Sequence, residues 1–279
     1  MRTIEGSVAV VTGASRGIGP YLALALAREN ASLVLAARSG DDLEAVAEKL
    51  RTKGATVLTV VCDVTVAEDR AGLVAAAIAK FGRIDILVNN AGIGVTTRYE
   101  SQPAEQIEEI LNVNLRAPML LTQAVLPGML ARGSGFIVNI ASIAGKVGTP
   151  FSSPYSASKG GLVMFTESFR SEFRRRGVSA TAICPGFVSD AGMYEVMERK
   201  AGVRASKLAG TSSPQKVAAA MIKAIKRDSP EVIVNPGPIR LLSGVAELFP
   251  GMFERVFPVF GANKLFEKVA KREEQQKKV

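Results

Sequence analysis

The 279-residue chain has no histidine and no tryptophan, and only two cysteines. Without histidine, Ser-His-Asp hydrolysis, Cys-His proteolysis and histidine-ligated metal centres are excluded. No metal site is expected, and proton transfer falls to Tyr, Lys, Asp, Glu, Cys or water. Cys62 and Cys184 form no CxxC pair, which argues against a disulfide scaffold or structural zinc and fits a reducing compartment. No run of about 18 uncharged apolar residues occurs, so no membrane-spanning helix is expected. The start "MRTIEGSVAVVTG" passes directly into a strand pattern with no basic and apolar leader ahead of it. No signal peptide is therefore expected, and the location read from the sequence is cytoplasmic.

What the chain does have is apolar residues, 47% of the total, and a formal charge of +9. The first supports a sizeable core and argues against global disorder. The tail "KLFEKVAKREEQQKKV" holds six Lys/Arg against three Glu, and the remaining excess is spread along the chain. Spread charge reads as solvated surface, so no nucleic-acid partner is expected. A positive excess also suits a polyanionic cofactor.

Short apolar runs at 8–13, 33–38, 57–63, 84–90, 136–142, 178–186 and 231–235 alternate with helical patterns at 41–53, 67–81, 104–131, 155–176 and 214–227. The strands lack strict in/out alternation, so both of their faces are expected to be buried. Repeated strand–helix–strand order means parallel strands with right-handed crossovers. The expected fold is α/β: one doubly wound, Rossmann-like domain over 1–279, with a seven-stranded parallel sheet and helices on both faces. The loop-rich stretch 189–213 is the candidate mobile substrate lid.

"VVTGASRGIGP" ends the first strand and opens a helix, with Gly13, Gly17 and Gly19 spaced G-x-x-x-G-x-G. Glycines there permit a tight turn and close backbone approach, and a helix N-terminus favours pyrophosphate. Pro20 suits a first helical turn, where its missing N–H costs little. The second strand ends "LAARSG". NAD-selective folds carry an acidic residue at that point, whereas this chain has Ala36, Ala37 and then Arg38. Together with Arg16 in the glycine loop, Arg38 suits a ribose 2′-phosphate. NADP(H) is therefore favoured over NAD(H); the competing reading makes Arg38 a solvated helix-entry residue.

With these motifs in view, the sequence resembles the short-chain dehydrogenase/reductase family. "TGASRGIG" (12–19), "DV" (63–64), "NNAG" (89–92), "NVN" (112–114), Ser142, "YSASK" (155–159) and "PG" (185–186) stand in that family's order over roughly residues 5–235. The resemblance implies roles at matching positions. Gly13, Ser15, Arg16, Gly17, Ile18 and Gly19 would form the phosphate loop. Asp63 would accept from the adenine amino group, with Val64 beside it. Asn89, Asn90, Ala91 and Gly92 would line the ribose side and brace the central strands. Asn114 would hold a water in a proton relay, although Asn112 competes for the functional place in "NVN". Ser142 would hydrogen-bond the substrate oxygen, Tyr155 would be the general acid/base, and Lys159 would bind the nicotinamide ribose. Pro185, Gly186 and Val188 would contact the nicotinamide end. The family also implies a homodimer or homotetramer. One departure stands out. Where the family's "PG-x-V-x-T" places a threonine, this chain has Asp190. Ser189 would then supply the hydroxyl after a one-residue shift, and Asp190 would cap the next helix.

Tyr155 and Lys159, four apart, fall on one helix face. A free phenol has a pKa of about 10. A unit positive charge at ~4 Å and an effective dielectric of ~20 contributes about 4 kcal/mol, which lowers that value by roughly three. The expected reaction interconverts a secondary alcohol and a ketone, with Ser142 polarising the carbonyl. The alternatives are a nucleotide-binding regulatory protein without turnover, and a hydrolase or lyase that the missing histidine disfavours. Cys184, before a proline at a strand end, is expected to be core.

Residues 236–262, "PGPIRLLSGVAELFPGMFERVFPVFGA", are apolar and aromatic. Three readings are open, in descending order: cover over an apolar substrate pocket, packing on a sister subunit, and contact with a membrane surface. Pro250 and Pro258 break the stretch into short helices. Phe187, Met193, Met197 and Leu208 would complete an apolar pocket, which points to a bulky or lipophilic alcohol or ketone. Residues 268–279 are expected to be a solvated, frayed helix.

Overall fold

The computed structural model describes residues 3–189, 191–202, 210–235, 244, 248–249, 251 and 266–272. In chain order its elements are β1 (Val8–Thr12), α1 (Gly19–Arg28), β2 (Ser32–Ala37), α2 (Gly40–Arg51), β3 (Val57–Val61), α3 (Ala67–Phe81), β4 (Ile86–Asn89), α4 (Ala104–Leu111), α5 (Ala117–Ala131), β5 (Gly135–Ile140), α6 (Ser153–Phe173), β6 (Val178–Pro185), β7 (Phe187–Val188), α7 (Met193–Ala201), β8 (Thr211–Ser212), α8 (Pro214–Arg227) and β9 (Glu231–Val234). Seven strands form a parallel sheet in the order β3-β2-β1-β4-β5-β6-β9. The seven expected strands are all present, within a residue or two of their predicted ends.

Alternation along the strands builds two cores. Ala9, Val11, Leu33 and Leu35 pack with α1, α2 and α8 on one face. Val8, Val10, Val34 and Ala36 pack on the other, with Leu73 of α3, Leu121 and Val125 of α5 and Phe169 of α6. Both faces are buried, which is why the strand sequences read as continuous apolar runs. Chain direction across the sheet reverses between β1 and β4. That reversal opens a crevice at their carboxyl ends, where ligands of such folds bind.

Three expectations are corrected. The stretch 104–131 is not one α-helix, because a π-helical turn spans Asn112–Arg116, with the Ala117 N–H donating to the Asn112 carbonyl. Pro118 supplies a reason: it has no N–H to offer the Asn114 carbonyl four residues back, so the turn widens. The stretch 189–213 contains α7 and β8, and β8 pairs with β7 in a separate two-stranded sheet. Residues 266–272 are helical, but Phe266, Val269 and Ala270 are buried, so this part of the tail is packed, not solvated. The expectations for Asp190, Leu208, Pro250, Pro258 and residues 273–279, and for the Met193 side chain, lie outside the described residues. Of 236–262 only 244, 248–249 and 251 are described, and Leu248 and Phe249 are exposed. Among the described residues no helix is long and apolar enough to cross a membrane.

Candidate active site

A cavity of about 1200 Å³ lies along the carboxyl ends of the strands. Of the residues singled out from sequence, Gly13, Ser15, Arg16, Gly17, Ile18, Arg38, Asp63, Val64, Asn90, Ala91, Gly92, Ser142, Tyr155, Lys159, Pro185, Gly186 and Val188 line it. Gly19 and Asn114 do not; they stand behind the lining.

One end is the turn between β1 and α1. Gly13 has φ +62°, and a Cβ there would sit 2.8 Å from the Ala91 Cα. A Cβ on Gly19 would collide with the Gly13 carbonyl. The loop is thus open on its cavity side and filled on the other by backbone, as a cradle for a phosphate must be. Thr12 and Asn90 hold it to the central strands. The Thr12 hydroxyl accepts from the Asn90 and Ala91 N–H groups at 3.0 and 3.1 Å, and the Asn90 amide donates to the Thr12 and Gly13 carbonyls at 2.9 and 3.0 Å. Gly192, at the start of α7, lies over the cradle: a Cβ on Gly17 would sit 3.4 Å from its Cα. Arg38, exposed at the end of β2, is 3.9 Å from the Asp63 carboxylate. Burial pushes that carboxyl up, but hydrogen bonds from Thr65 and the Arg38 charge outweigh it and hold Asp63 below the usual range.

The other end is built by β5, the 3₁₀ turn Ile143–Gly145 and α6. Ser142 caps the 3₁₀ turn, its hydroxyl accepting from the Ala144 N–H at 3.1 Å, and it stands near enough to the Tyr155 phenol to pull its pKa down. Lys159 is 3% exposed. Its ammonium donates to the Ile140 carbonyl at 2.8 Å and lies 5.9 Å from the Tyr155 ring centre. Burial pushes the phenol up to about 12, against the opposing pull of Ser142. Burial also pulls Lys159 down to about 8. This corrects the expectation from sequence, which counted the attraction between the two groups and not the loss of water around both.

Asn114 is fully buried. Its Oδ1 accepts from the Ile93 N–H at 2.8 Å, and its Nδ2 donates to the Ile93 carbonyl at 2.8 Å and to Ser158 Oγ at 3.1 Å. The amide is a brace between the π turn, the loop after β4 and α6. Pro118, four residues on, has no N–H to offer the Asn114 carbonyl. Deeper still, Asn89 donates to Asn139 at 2.8 Å and Asn139 to Thr166 at 2.8 Å, which ties β4, β5 and α6 together.

Ser189 does not supply the expected hydroxyl; it lies outside the cavity lining, and its N–H and hydroxyl both point to the Ser212 carbonyl. Ser152 does not cap α6 through its side chain; its hydroxyl donates to the Val95 carbonyl. Cys62 and Cys184 are buried, and burial raises them to about 11 and about 12, so both are protonated core thiols. Sequence reasoning missed Tyr194, Asn235, Phe266 and Val269, all of which line the cavity. The Phe266/Val269/Ala270 stripe at helical spacing was the available signal.

A cradle opening at a strand–helix switch point, joined in one cavity to a buried Ser-Tyr-Lys cluster, is the arrangement that a dinucleotide-dependent oxidoreductase requires. The profile of the short chain dehydrogenases matches residues 7–201, and the chain belongs to that family. A ketoacyl reductase, HetN, of Nostoc sp. is 42% identical over 94% of this chain and 91% of its own length. A 3-oxoacyl-[acyl-carrier-protein] reductase of Synechocystis sp. is 37% identical over 78% of this chain and 88% of its own. Among solved structures, levodione reductase superposes with a TM-score of 0.78 at 30% identity, covering 85% of this chain and 98% of that one. The protein is an enzyme acting on CH–OH or carbonyl groups, as its family's members do with nicotinamide cofactors.

Proposed function

We propose that the enzyme interconverts a ketone and a secondary alcohol with NADP(H), on a bulky, largely apolar substrate. The observation that carries this is the meeting of Ser142, Tyr155 and Lys159 at one end of the cavity whose other end is the glycine cradle. The cradle's open face and glycine backbone fit a dinucleotide. Gly13, Ser15, Arg16, Gly17 and Ile18 would hold its pyrophosphate, Asp63 and Val64 its adenine, and Pro185, Gly186 and Val188 its nicotinamide end. When bound, the cofactor supplies or takes up a hydride at the carbonyl carbon. NADP(H) is supported by Arg16 and Arg38 at the adenosine end and by the 3-oxoacyl reductase among the relatives.

In the reductive direction Ser142 donates a hydrogen bond to the substrate carbonyl oxygen, and Tyr155 passes its proton to that oxygen as negative charge develops there. A phenol raised to about 12 holds its proton at neutral pH, which suits a donor. Lys159 stabilises the tyrosinate left behind, and a water on the Asn114 carbonyl leads a proton back toward it. The stretch 189–213 acts as the lid, a reading supported by Gly192 lying against Gly17. Assembly as a homodimer or homotetramer is what the resemblance implies, and light scattering in solution tests it.

The deciding experiment follows NADPH oxidation across a panel of ketones, ketoacyl thioesters included, with Tyr155→Phe as control. Reduction by the wild type and loss in the variant is the expected result. NADPH binding without turnover across the panel refutes the reading.

A further inference from the structure

The helix at 266–272 lies beyond the residues that the family profile covers, yet it forms part of the cavity wall. Phe266 and Val269 line the cavity and are 6% and 2% exposed. The Phe266 ring centre is 6.1 Å from that of Phe187, which is 4.7 Å from that of Tyr194. Val269, Tyr194, Phe187 and Met197 form one apolar cluster. Phe187 brings this cluster toward the reacting end. Phe187 follows Gly186, and a Cβ on Gly186 would touch Ile143, the neighbour of Ser142, at 3.2 Å.

The charged residues of this helix have neighbours of their own. The Arg272 guanidinium comes within 3.5 Å of where a Cβ on Gly202 would stand, at the end of α7. Lys271, and beyond it Arg98 of the loop after β4, hold the Glu267 carboxyl below its usual range. Phe266 and Val269 are the residues of this helix that turn into the cavity.

We propose that this helix is the substrate-selecting wall, and that Phe266 and Val269 admit ketones bearing an apolar chain or ring in preference to small ones. The inference rests on the reductase reading above. A chain packed against that wall leaves water, and full burial of each methylene is worth roughly a fourfold gain.

The test uses 2-alkanones of increasing chain length, NADPH, and the full-length wild type, Phe266→Ala and Phe266→Leu. In the wild type kcat/KM should climb by about two- to fourfold per methylene until the cavity is filled. Phe266→Ala should flatten that climb and cost about tenfold or more on the longest ketone. The shortest ketone and the NADPH Kd should stay within about twofold, since neither meets the wall. Phe266→Leu, which keeps apolar bulk, should retain most of the slope, and its Tm should report whether the helix stays packed. A uniform loss over all chain lengths in both variants, or an unchanged slope in Phe266→Ala, overturns the inference alone. Wild-type failure on every ketone with NADPH overturns the reductase reading and this inference with it.

Discussion

At the residue scale the chemistry is a contest between attraction and dehydration. Tyr155 and Lys159 share a helix face, as their spacing requires, but the pair is sunk beside β5 where each charge loses water. Dehydration wins for both: the phenol rises to about 12 and the ammonium falls to about 8. Tyr155→Phe removes only the transferable proton. It should lower turnover by about a hundred- to ten-thousand-fold while leaving the NADPH Kd within about twofold, measurable by fluorescence titration. Lys159 carries a second expectation, in stability. Its folded pKa lies below the unfolded value of about 10.4, so burying it charged is costly below about pH 8. That cost shrinks as pH rises from there toward the unfolded value. Lys159→Met should therefore abolish turnover yet melt no lower than wild type at pH 7, with any gain in Tm narrowing by pH 10. A clear loss of Tm at pH 7 would contradict the dehydration argument. The identity and spacing of this pair were legible in the sequence; the sign of its pKa shifts was not, because burial is a property of the packed sheet and helices around it.

At the element scale the strands were legible and the irregular turns were not. Apolar runs report strands because both sheet faces are covered, but periodicity could not reveal a π turn at 112–116, which lies inside an otherwise helical pattern. The local cause is in the sequence all the same, at Pro118. Pro118→Ala would return an N–H to the Asn114 carbonyl and let a regular α-turn form. That should preserve or raise Tm and lower kcat by several-fold, with NADPH binding unchanged; an unaltered kcat would remove the Asn114 carbonyl from the proton path. A second element contact fixes the far side of α6. Arg170 donates to the Asp228 carboxylate at 2.8 Å, to the Asp228 carbonyl at 2.6 Å and to the Ala180 carbonyl at 3.0 Å, and Ser179 donates to the same carboxylate at 2.5 Å. Arg174 joins at 2.8 Å. Asp228 ends α8 at φ +53°, so one carboxylate clamps α6, β6 and α8. Although burial opposes it, bonding to Arg170, Ser179 and Arg174 drives its pKa far below the ordinary carboxylate range. A depressed pKa gives stability that is present above the unfolded value near 3.9 and is lost as pH falls below it. Asp228→Asn keeps a side chain suited to positive φ and should cost about 2 kcal/mol at pH 7. The gap to wild type should narrow as pH falls from about 5 toward 2. Denaturant melts at both ends of that range measure it.

At the scale of the whole molecule the cavity joins two kinds of information. Its floor is set by motifs close in sequence to strand ends, and these were legible because each motif carries its own backbone requirement. Its roof comes from Phe187, Tyr194, Phe266 and Val269, brought together from positions up to the last described helix; Phe187 and the Phe266/Val269 stripe show locally in the sequence, but their meeting does not. The cofactor end lies between these cases. Arg38 was legible as the residue replacing an acidic one after β2, but its ion pair with Asp63 follows only from the register of β2 against β3. The pair changes what a test should be. Arg38→Asp would set a second carboxylate near Asp63 and disturb adenine binding for either cofactor, so a neutral replacement isolates the 2′-phosphate. A charge-assisted hydrogen bond to phosphate is worth about 1.5–3 kcal/mol, or roughly ten- to a hundredfold in Kd. Arg38→Ala should weaken NADPH by that factor and leave NADH within about threefold, as measured by titration at fixed ionic strength. Because Arg38 is exposed, wild-type affinity for NADPH relative to NADH should also fall as salt is raised, and the variant should show a weaker salt dependence. Equal weakening of both cofactors would assign Arg38 to holding Asp63 and the adenine and remove it from the 2′-phosphate.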